Sequence, residues 1–191
     1  MRKSIDKGEL VGAVFIDLSK AFDTVGHSIL LSKLSSYGIS GTELDWFTNY
    51  LFNRSQQVIL ENIRSDITKI TCGVPQGSIL GPLLFLLHIN DFEDTLRKSQ
   101  TIMFADDTVI YYSSRSSCEI EQCLNDDLKN IATYFEANDL IINLDKGKTE
   151  SMLFGTSAML KIASLSLFYE FVEIMPTISW FIIRSKIVIE R

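Results

Sequence analysis

Two adjacent carboxylates near the middle of the chain limit its fold more than any other feature. Asp106 and Asp107 lie between two strand-like runs, Thr101–Ala105 and Thr108–Tyr112. Successive side chains of a strand point to opposite faces, so both acids can serve one site only if they lie at a bend. The sequence therefore predicts a hairpin with acidic residues at its tip. Taken alone, such a pair is more often a solvated polar turn.

A third carboxylate ends the first apolar run. Val11–Ile16 has the pattern of a buried strand, and Asp17 follows it directly. If Asp17 meets the acidic hairpin, the like charges repel each other unless a cation neutralises them. Magnesium prefers such hard oxygen ligands, and two magnesium ions can activate a hydroxyl and stabilise a leaving pyrophosphate. The ordinary alternative for Asp17 is a helix cap before Lys20.

The rest of the chain reads as mixed helix and strand around a central loop rich in Gly and Pro, Cys72–Pro82, here called the Gly/Pro loop. Helical spacing of apolar residues predicts helices at His27–Tyr37, at Thr42–Phe52, from Pro82 to Asp91, and up to Asn138 after a capping box at Ser116 and Glu119. Further strands are expected at Gln56–Ile63, Asp66–Thr71, Leu140–Asn143 and Ser151–Phe154.

Composition narrows the class of protein. The three cysteines form no CxxC pair, so a zinc site or a disulfide framework is not expected. The start of the chain lacks the apolar stretch of a secretory signal, and no run approaches the length of a membrane span. We therefore expect an intracellular protein that is not secreted and has no membrane partner. The net charge of −6 argues mildly against a nucleic-acid-binding surface, although clustered metal-binding carboxylates would account for part of it.

Four segments then occur in one family's order and spacing. They are Phe15–Asp23, Gly73–Pro82, Phe104–Asp107 and Asn143–Thr149. Together they resemble the palm motifs of reverse transcriptases from non-LTR retrotransposons of the LINE and jockey type. The resemblance implies an α/β (α+β) fold, with a palm-type antiparallel sheet, helices packed on one face, and incomplete fingers and thumb. It also implies a partial palm domain over residues 1–156, followed by a divergent segment, 157–191, in place of the primer-grip region, which a truncation or a frameshift would explain.

The resemblance assigns the metal site. Asp17, Asp106 and Asp107 would hold two Mg²⁺ ions, for which Mn²⁺ could substitute, helped by the carbonyl of Leu18.

The resemblance also assigns the substrate contacts. Phe22 would be a steric gate against the ribose 2′-hydroxyl, and Gln76 and Gly77 would line the incoming nucleotide and the template. Lys148 would approach the pyrophosphate and act as general acid, with Lys146 as the alternative.

Other motif residues are expected to be structural. Asp23 would cap the following helix, and His27 would satisfy a nearby backbone group. The aromatic residues Phe47, Tyr50 and Phe52 are expected in the core rather than as platforms for bases.

The implied function is RNA-directed DNA polymerisation, with an RNA template, a DNA primer and deoxynucleotides as partners. The family carries a fingers segment before the first motif and a thumb after the last, so we expect this chain alone to bind magnesium weakly and to polymerise poorly. Rival interpretations are a group II intron maturase, an RNA-directed RNA polymerase, or a decayed, non-catalytic transposon remnant that at most binds nucleic acid. Phe22 favours deoxynucleotides.

Overall fold

The structure is a computed structural model that describes residues 1–145, 147–160 and 185–189. The chain forms two compact units: one of residues 1–19, 91–137 and 141–191, and the other of residues 20–90 and 138–140. The predicted boundary at residue 156 stays a prediction, since most of the chain after it lies outside the described residues. Lys146 lies outside them as well. No helix in the described ranges is long and apolar enough to cross a membrane.

The first unit is built on a five-stranded sheet. Its strands are β1 (Leu10–Ile16), β6 (Gln100–Phe104), β7 (Asp107–Ser114), β8 (Glu150–Gly155) and β9 (Ser185–Ile189). They lie side by side in the order β6-β7-β1-β8-β9. All pairings are antiparallel except that of β8 with β9. The continuous apolar run of β1 fits its place in the middle of the sheet, where nearly all of its residues are buried. The predicted antiparallel sheet is confirmed.

One long helix, α6 (Ser117–Ala137), packs on this sheet. Its apolar stripe is buried as predicted. Gly12 in β1 permits the close approach, because a Cβ atom there would lie 2.3 Å from Cγ2 of Ile120 and 3.0 Å from Cδ1 of Leu124. The unit also holds two short helices, α1 (Arg2–Asp6) and α7 (Ser157–Leu160), and a 3-10 helix, Phe92–Thr95.

The predicted capping box at the start of α6 forms only in part. The backbone N–H of Glu119 donates to Oγ of Ser116 at 3.4 Å. The Glu119 carboxylate instead accepts hydrogen bonds from Ser114 Oγ and from the Tyr112 hydroxyl, at 2.5 and 3.0 Å. These bonds lower the pKa of Glu119, and the bond to Glu119 raises the pKa of Tyr112 to about 12. The carboxylate thus joins the end of β7 to the start of the helix.

The second unit is mainly helical. It contains α2 (Ala21–Thr24), α3 (His27–Ser36), α4 (Thr42–Leu51) and α5 (Leu80–Ile89). Helix α5 begins at Leu80, so Pro82 lies in its first turn. Proline is tolerated there because the backbone N–H groups of a first turn make no hydrogen bond within the helix. Phe52 is 41% exposed, so its predicted place in the core is wrong; Phe47 and Tyr50 are half-buried.

The two strands predicted between α4 and the Gly/Pro loop are wrong in extent. Four two-residue strands form instead: β2 (Ser55–Gln56) pairs with β5 (Thr68–Lys69), and β3 (Ile59–Leu60) pairs with β4 (Ile63–Arg64). The turn comes earlier than expected, at Glu61, whose φ is +53°. Both ribbons are exposed, and no strand among the described residues pairs with either of them, so their apolar residues stay exposed in that part of the chain.

The predicted strand Leu140–Asn143 is also wrong. It is reduced to one isolated bridge between Ile142 and Leu18.

A buried carboxylate on α6 holds the segment that leads into β6. Asp127 is fully buried and accepts hydrogen bonds from the backbone N–H groups of Arg97, Lys98 and Ser99, at 2.9, 3.2 and 2.7 Å. Burial alone would raise the pKa of Asp127, but these bonds favour the charged form and the net pKa is lowered. Sequence reasoning missed this role, although Asp127 lies three residues after Leu124 and four before Ile131, on the apolar stripe of the helix, whereas Asp126 is exposed.

We expect Asp127→Asn to lower the free energy of unfolding by about 2 kcal/mol, since it replaces charge-assisted hydrogen bonds with weaker ones. Asp126→Asn is the matched control and should change stability by less than about 0.5 kcal/mol. Because the folded pKa of Asp127 is depressed, its stabilising effect is fully present above the unfolded pKa, near 3.9. The effect is lost as the pH falls from that value through the lower folded pKa. Urea denaturation of both variants between pH 3 and pH 7 measures this, and equal losses in the two would contradict it.

Candidate functional site

Strand register brings two of the predicted carboxylates to the same end of the sheet. The last pair of β1 and β7 is Ile16 with Thr108, so Asp17 follows β1 where Asp107 begins β7. Asp107 also pairs with Phe104 across the β6–β7 hairpin. The predicted acidic hairpin is therefore confirmed, with one refinement: Asp106 lies in the turn and Asp107 is the first strand residue.

The hairpin turn is tight and locally strained. Ala105 and Asp106 alone connect the two strands, and Ala105 has a φ of +53°. A residue with a Cβ atom in this conformation costs on the order of 1–2 kcal/mol. Asp106 is half-buried, Asp107 is exposed, and the Asp17 side chain is 26% exposed, so solvent reaches all three carboxylates.

These carboxylates fit a shared magnesium site that the substrate completes. No group of three or more His, Cys, Asp or Glu side chains within the described ranges is arranged to hold a metal ion by itself. Magnesium usually takes one or two carboxylates together with substrate phosphate oxygens, rather than a cage made only by protein. The oxygen donors of Asp17, Asp106 and Asp107 suit that pattern, and their convergence on a pair of ions stays a prediction.

The backbone of Asp17 is held by the segment that precedes β8. The Asn143 N–H donates to the Asp17 carbonyl at 2.8 Å, and the Asp17 N–H donates to Oγ1 of Thr149 at 3.3 Å. The Thr149 hydroxyl in turn donates to the Asn143 carbonyl at 2.8 Å. Thr149 is buried and closes this small network. Sequence reasoning gave it no role, although it ends the motif Gly147-Lys148-Thr149.

Lys148 lies beside the first carboxylate, as its predicted role requires. Its Nζ atom is 3.9 Å from Oδ2 of Asp17, and its side chain is 52% exposed. The bridge between Leu18 and Ile142 consists of backbone hydrogen bonds made by the residues on either side of them. The Ser19 N–H donates to the Ile141 carbonyl, and the Asn143 N–H donates to the Asp17 carbonyl. Neither of these bonds uses the Leu18 carbonyl, which agrees with a role for it as a ligand.

The second unit positions the predicted gate. The ring of Phe22 packs on the ring of Phe85, with centroids 4.6 Å apart. Phe85 is fully buried, whereas Phe22 is only half-buried. One face of the Phe22 ring is thus fixed by the core while part of the side chain stays accessible.

The Gly/Pro loop presents Gln76 and Gly77 at the surface of the same unit. Nε2 of Gln76 donates to Oδ1 of Asp23 at 2.8 Å. Asp23 therefore orients Gln76, and its predicted role as a cap is wrong, because Gly26 precedes α3 without a side-chain cap.

Gly77 has a φ of +78° with no atom near a Cβ position, so the backbone conformation, not space, favours glycine. The predicted structural role of His27 is confirmed, since its Nε2 lies 2.8 Å from the Gly73 carbonyl.

Comparisons with known proteins agree on one family. A family model described as "Reverse transcriptase (RNA-dependent DNA polymerase)" matches residues 3–167. A probable RNA-directed DNA polymerase from transposon BS of Drosophila melanogaster is 32% identical over 157 residues, which cover 75% of this chain and 17% of that relative. An RNA-directed DNA polymerase from mobile element jockey of Drosophila funebris is 30% identical, covering 62% of this chain and 13% of the relative. The chain thus spans less than a fifth of the length of each of these two relatives.

Solved structures show the same fold. Telomerase from Candida tropicalis in complex with a fragment of telomeric RNA superposes with a TM-score of 0.61 at 11% identity, covering 80% of this chain and 28% of that one. The apo telomerase of that organism, truncated at its C-terminal domain, gives 0.59 at 13% identity, with 80% and 33% covered. At these identities the likeness concerns the fold alone.

The Thr149 network predicts a stability effect and a metal effect together. Thr149→Val removes the hydroxyl that joins Asp17 to Asn143, so we expect a loss of about 1 kcal/mol in the free energy of unfolding and weaker binding of Mn²⁺. Thr149→Ser keeps the hydroxyl and should preserve metal affinity. Urea denaturation and a Mn²⁺ titration check this, and equal metal affinities in the Val and Ser variants would contradict it.

Proposed function

The chain belongs to the reverse transcriptase (RNA-dependent DNA polymerase) family, and on that premise we propose that it is the palm core of a retrotransposon RNA-directed DNA polymerase. The observation that carries the proposal is the register of β1 against β7, which sets Asp17 beside the start of the acidic hairpin. The names of the transposon relatives support the choice of RNA as template and DNA as product. The chain would work inside the cell, in the nucleus or in a ribonucleoprotein particle.

The reaction is in-line attack of a primer 3′-hydroxyl on the α-phosphate of a deoxynucleotide, with pyrophosphate as the leaving group. Reverse transcriptases use divalent metal ions, and two Mg²⁺ bound here would activate the hydroxyl and neutralise charge on the pyrophosphate. Asp17, Asp106 and Asp107 would supply the protein ligands. Hydrogen bonds to Asn143 and Thr149 hold the backbone of Asp17, and strand pairing holds that of Asp107, so these ligands need little rearrangement when the substrate arrives.

Lys148 would act on the leaving group. Its ammonium, 3.9 Å from the Asp17 carboxylate, lies on the edge of the proposed metal site. From there it would donate a proton to the departing pyrophosphate, or compensate its charge. The partial exposure of the side chain leaves the ammonium free to turn between Asp17 and a phosphate oxygen.

Phe22 would select the sugar. Its ring rests on buried Phe85 and so resists displacement by an added hydroxyl. Gln76, oriented by Asp23, would contact the nucleotide or the template.

We expect Phe22→Val to reduce the preference for deoxynucleotides over ribonucleotides by roughly 10- to 200-fold, the range that one steric contact commands. The measurement is the ratio of kcat/KM for the two nucleotide types in a complete version of this sequence. Phe22→Tyr keeps the ring and should keep the preference. An unchanged ratio in the Val variant would rule out the gate.

We expect Asp106→Asn, in the same complete version, to reduce primer extension on the order of 100-fold or more. The reason is that the variant loses a ligand of the metal ions that would stabilise charge in the transition state. Asp126→Asn, on the exposed side of α6, is the control and should extend primers at the parent rate. Extension by the Asp106 variant at the parent rate would contradict the proposal. Inactivity of the complete parent with every primer and template would favour the rival, a remnant without catalysis.

A further inference from the structure

A cavity of about 530 Å³ lies in the second unit, between the end of α4, β5 and the Gly/Pro loop. Three cationic side chains line it: Lys20, Arg54 and Lys69. The acidic residue in the lining is Asp23, whose carboxylate already accepts the hydrogen bond from Gln76. We call this cavity the cationic pocket.

The charge of the cationic pocket is opposite to that of the chain. The net charge of the whole sequence is −6, yet three cations and one acid meet in this lining. Within the described residues, none of the three cations lies within ion-pair distance of a carboxylate. Gathered like charges without counter-charges raise the local potential, which attracts an anion.

The anion would be held by side chains rather than by backbone amides. The N–H groups of Gly73 and Val74 are already bonded to the carbonyls of Val25 and Phe22. The three cations are exposed and stand on long, flexible stems. An arginine with two lysines suits phosphate oxygens, because guanidinium binds them in a bidentate manner and ammonium adds a point charge.

A stack of two aromatic rings, one exposed and one half-buried, adjoins the pocket through Arg54. The Arg54 guanidinium lies over the ring of Tyr50, 5.6 Å from its centroid. Tyr50 stacks on Trp46 with an interplanar angle of 11° and centroids 5.5 Å apart, and Trp46 is 53% exposed. Stacked aromatic rings beside cations are the features by which proteins hold single-stranded nucleic acid without reading its sequence.

We propose that the cationic pocket binds backbone phosphates of single-stranded RNA, with the Trp46–Tyr50 stack as a platform for its bases. The choice of RNA rests on the proposed function, whereas the choice of phosphate rests on the pocket itself. A free phosphate, which has no base to stack, or a deoxynucleotide, which has only one base, is the other source of the same chemistry.

The first test compares two triple variants of the full chain with equal net charge. The pocket variant is Lys20→Gln, Arg54→Gln and Lys69→Gln. The control variant is Lys3→Gln, Lys7→Gln and Arg115→Gln, which removes three exposed cations of the first unit. Fluorescence anisotropy measures binding of a labelled single-stranded RNA over a range of salt concentrations, and circular dichroism checks that both variants are folded.

We expect the slope of log K against log salt to become shallower by about 2 in the pocket variant, because each phosphate neutralised on a single strand contributes about 0.7. The control variant should keep the parent slope. Equal changes in both variants, or an unchanged slope in the pocket variant, would overturn the proposal. Both readouts are independent of catalysis, so a failure of the proposed polymerase activity leaves them interpretable.

The second test needs no variant, because a cysteine reports on the pocket. Cys72 is exposed and lines the cationic pocket, whereas Cys118 is exposed in the first unit. Maleimide labelling followed by peptide mass spectrometry gives the rate at each thiol. At an RNA concentration about ten times Kd, labelling of Cys72 should slow roughly tenfold, since about a tenth of the molecules stay unoccupied, while Cys118 keeps its rate.

Inorganic phosphate and a deoxynucleotide, each at the same total phosphate concentration, separate the two sources. We expect neither to protect Cys72. Protection by either of them without protection by RNA would overturn the assignment to a nucleic-acid strand, and protection by none of the three would overturn the site.

Discussion

The antiparallel register between β1 and β7 is the constraint on which the rest of the account depends. It places Asp17 and Asp107 at one end of a sheet whose central strand is buried and apolar, with Asp106 in the adjoining turn. Carboxylates that share one site would repel each other unless positive charge joins them. Lys148 supplies one such charge, 3.9 Å from Asp17, and a divalent cation with substrate phosphates would supply more.

Contacts at both ends of the sheet hold the strands that carry these acids. At the acidic end, Thr149 joins the Asp17 backbone to Asn143. At the opposite end, Asp127 of α6 binds the three N–H groups that immediately precede β6. At that same end the Glu119 carboxylate accepts from Ser114, which ties the end of β7 to the start of α6. Positioning of this kind is what two-metal chemistry requires of a protein, because the metals supply the electrostatics and the chain supplies geometry.

The sequence was informative where a local pattern coincides with burial. The apolar run of β1, the stripe of α6 and the acidic hairpin were all predicted, because each is set by periodicity and by a polar bend. The long strands predicted between Ser55 and Lys69 did not form: the β-forming residues there remain exposed, and no third strand of the described part of the chain extends the ribbons. The roles of Asp23 and Asp127 were missed for another reason: their partners, Gln76 and Arg97–Ser99, are distant in sequence. The helical period places Asp127 on the buried face of α6, but it does not show which backbone groups that carboxylate binds.

The most direct measurement of the central claim is the position of a bound divalent ion on the chain in solution. Mn²⁺ broadens backbone amide signals of nearby residues, so a titration monitored by NMR maps its site without any need for activity. We expect the signals of Asp17, Leu18, Asp106 and Asp107 to broaden first and together, and excess Mg²⁺ to restore them. Broadening centred on other exposed acids, such as Glu93 and Asp94, with the Asp17 and Asp106 signals left sharp, would contradict it.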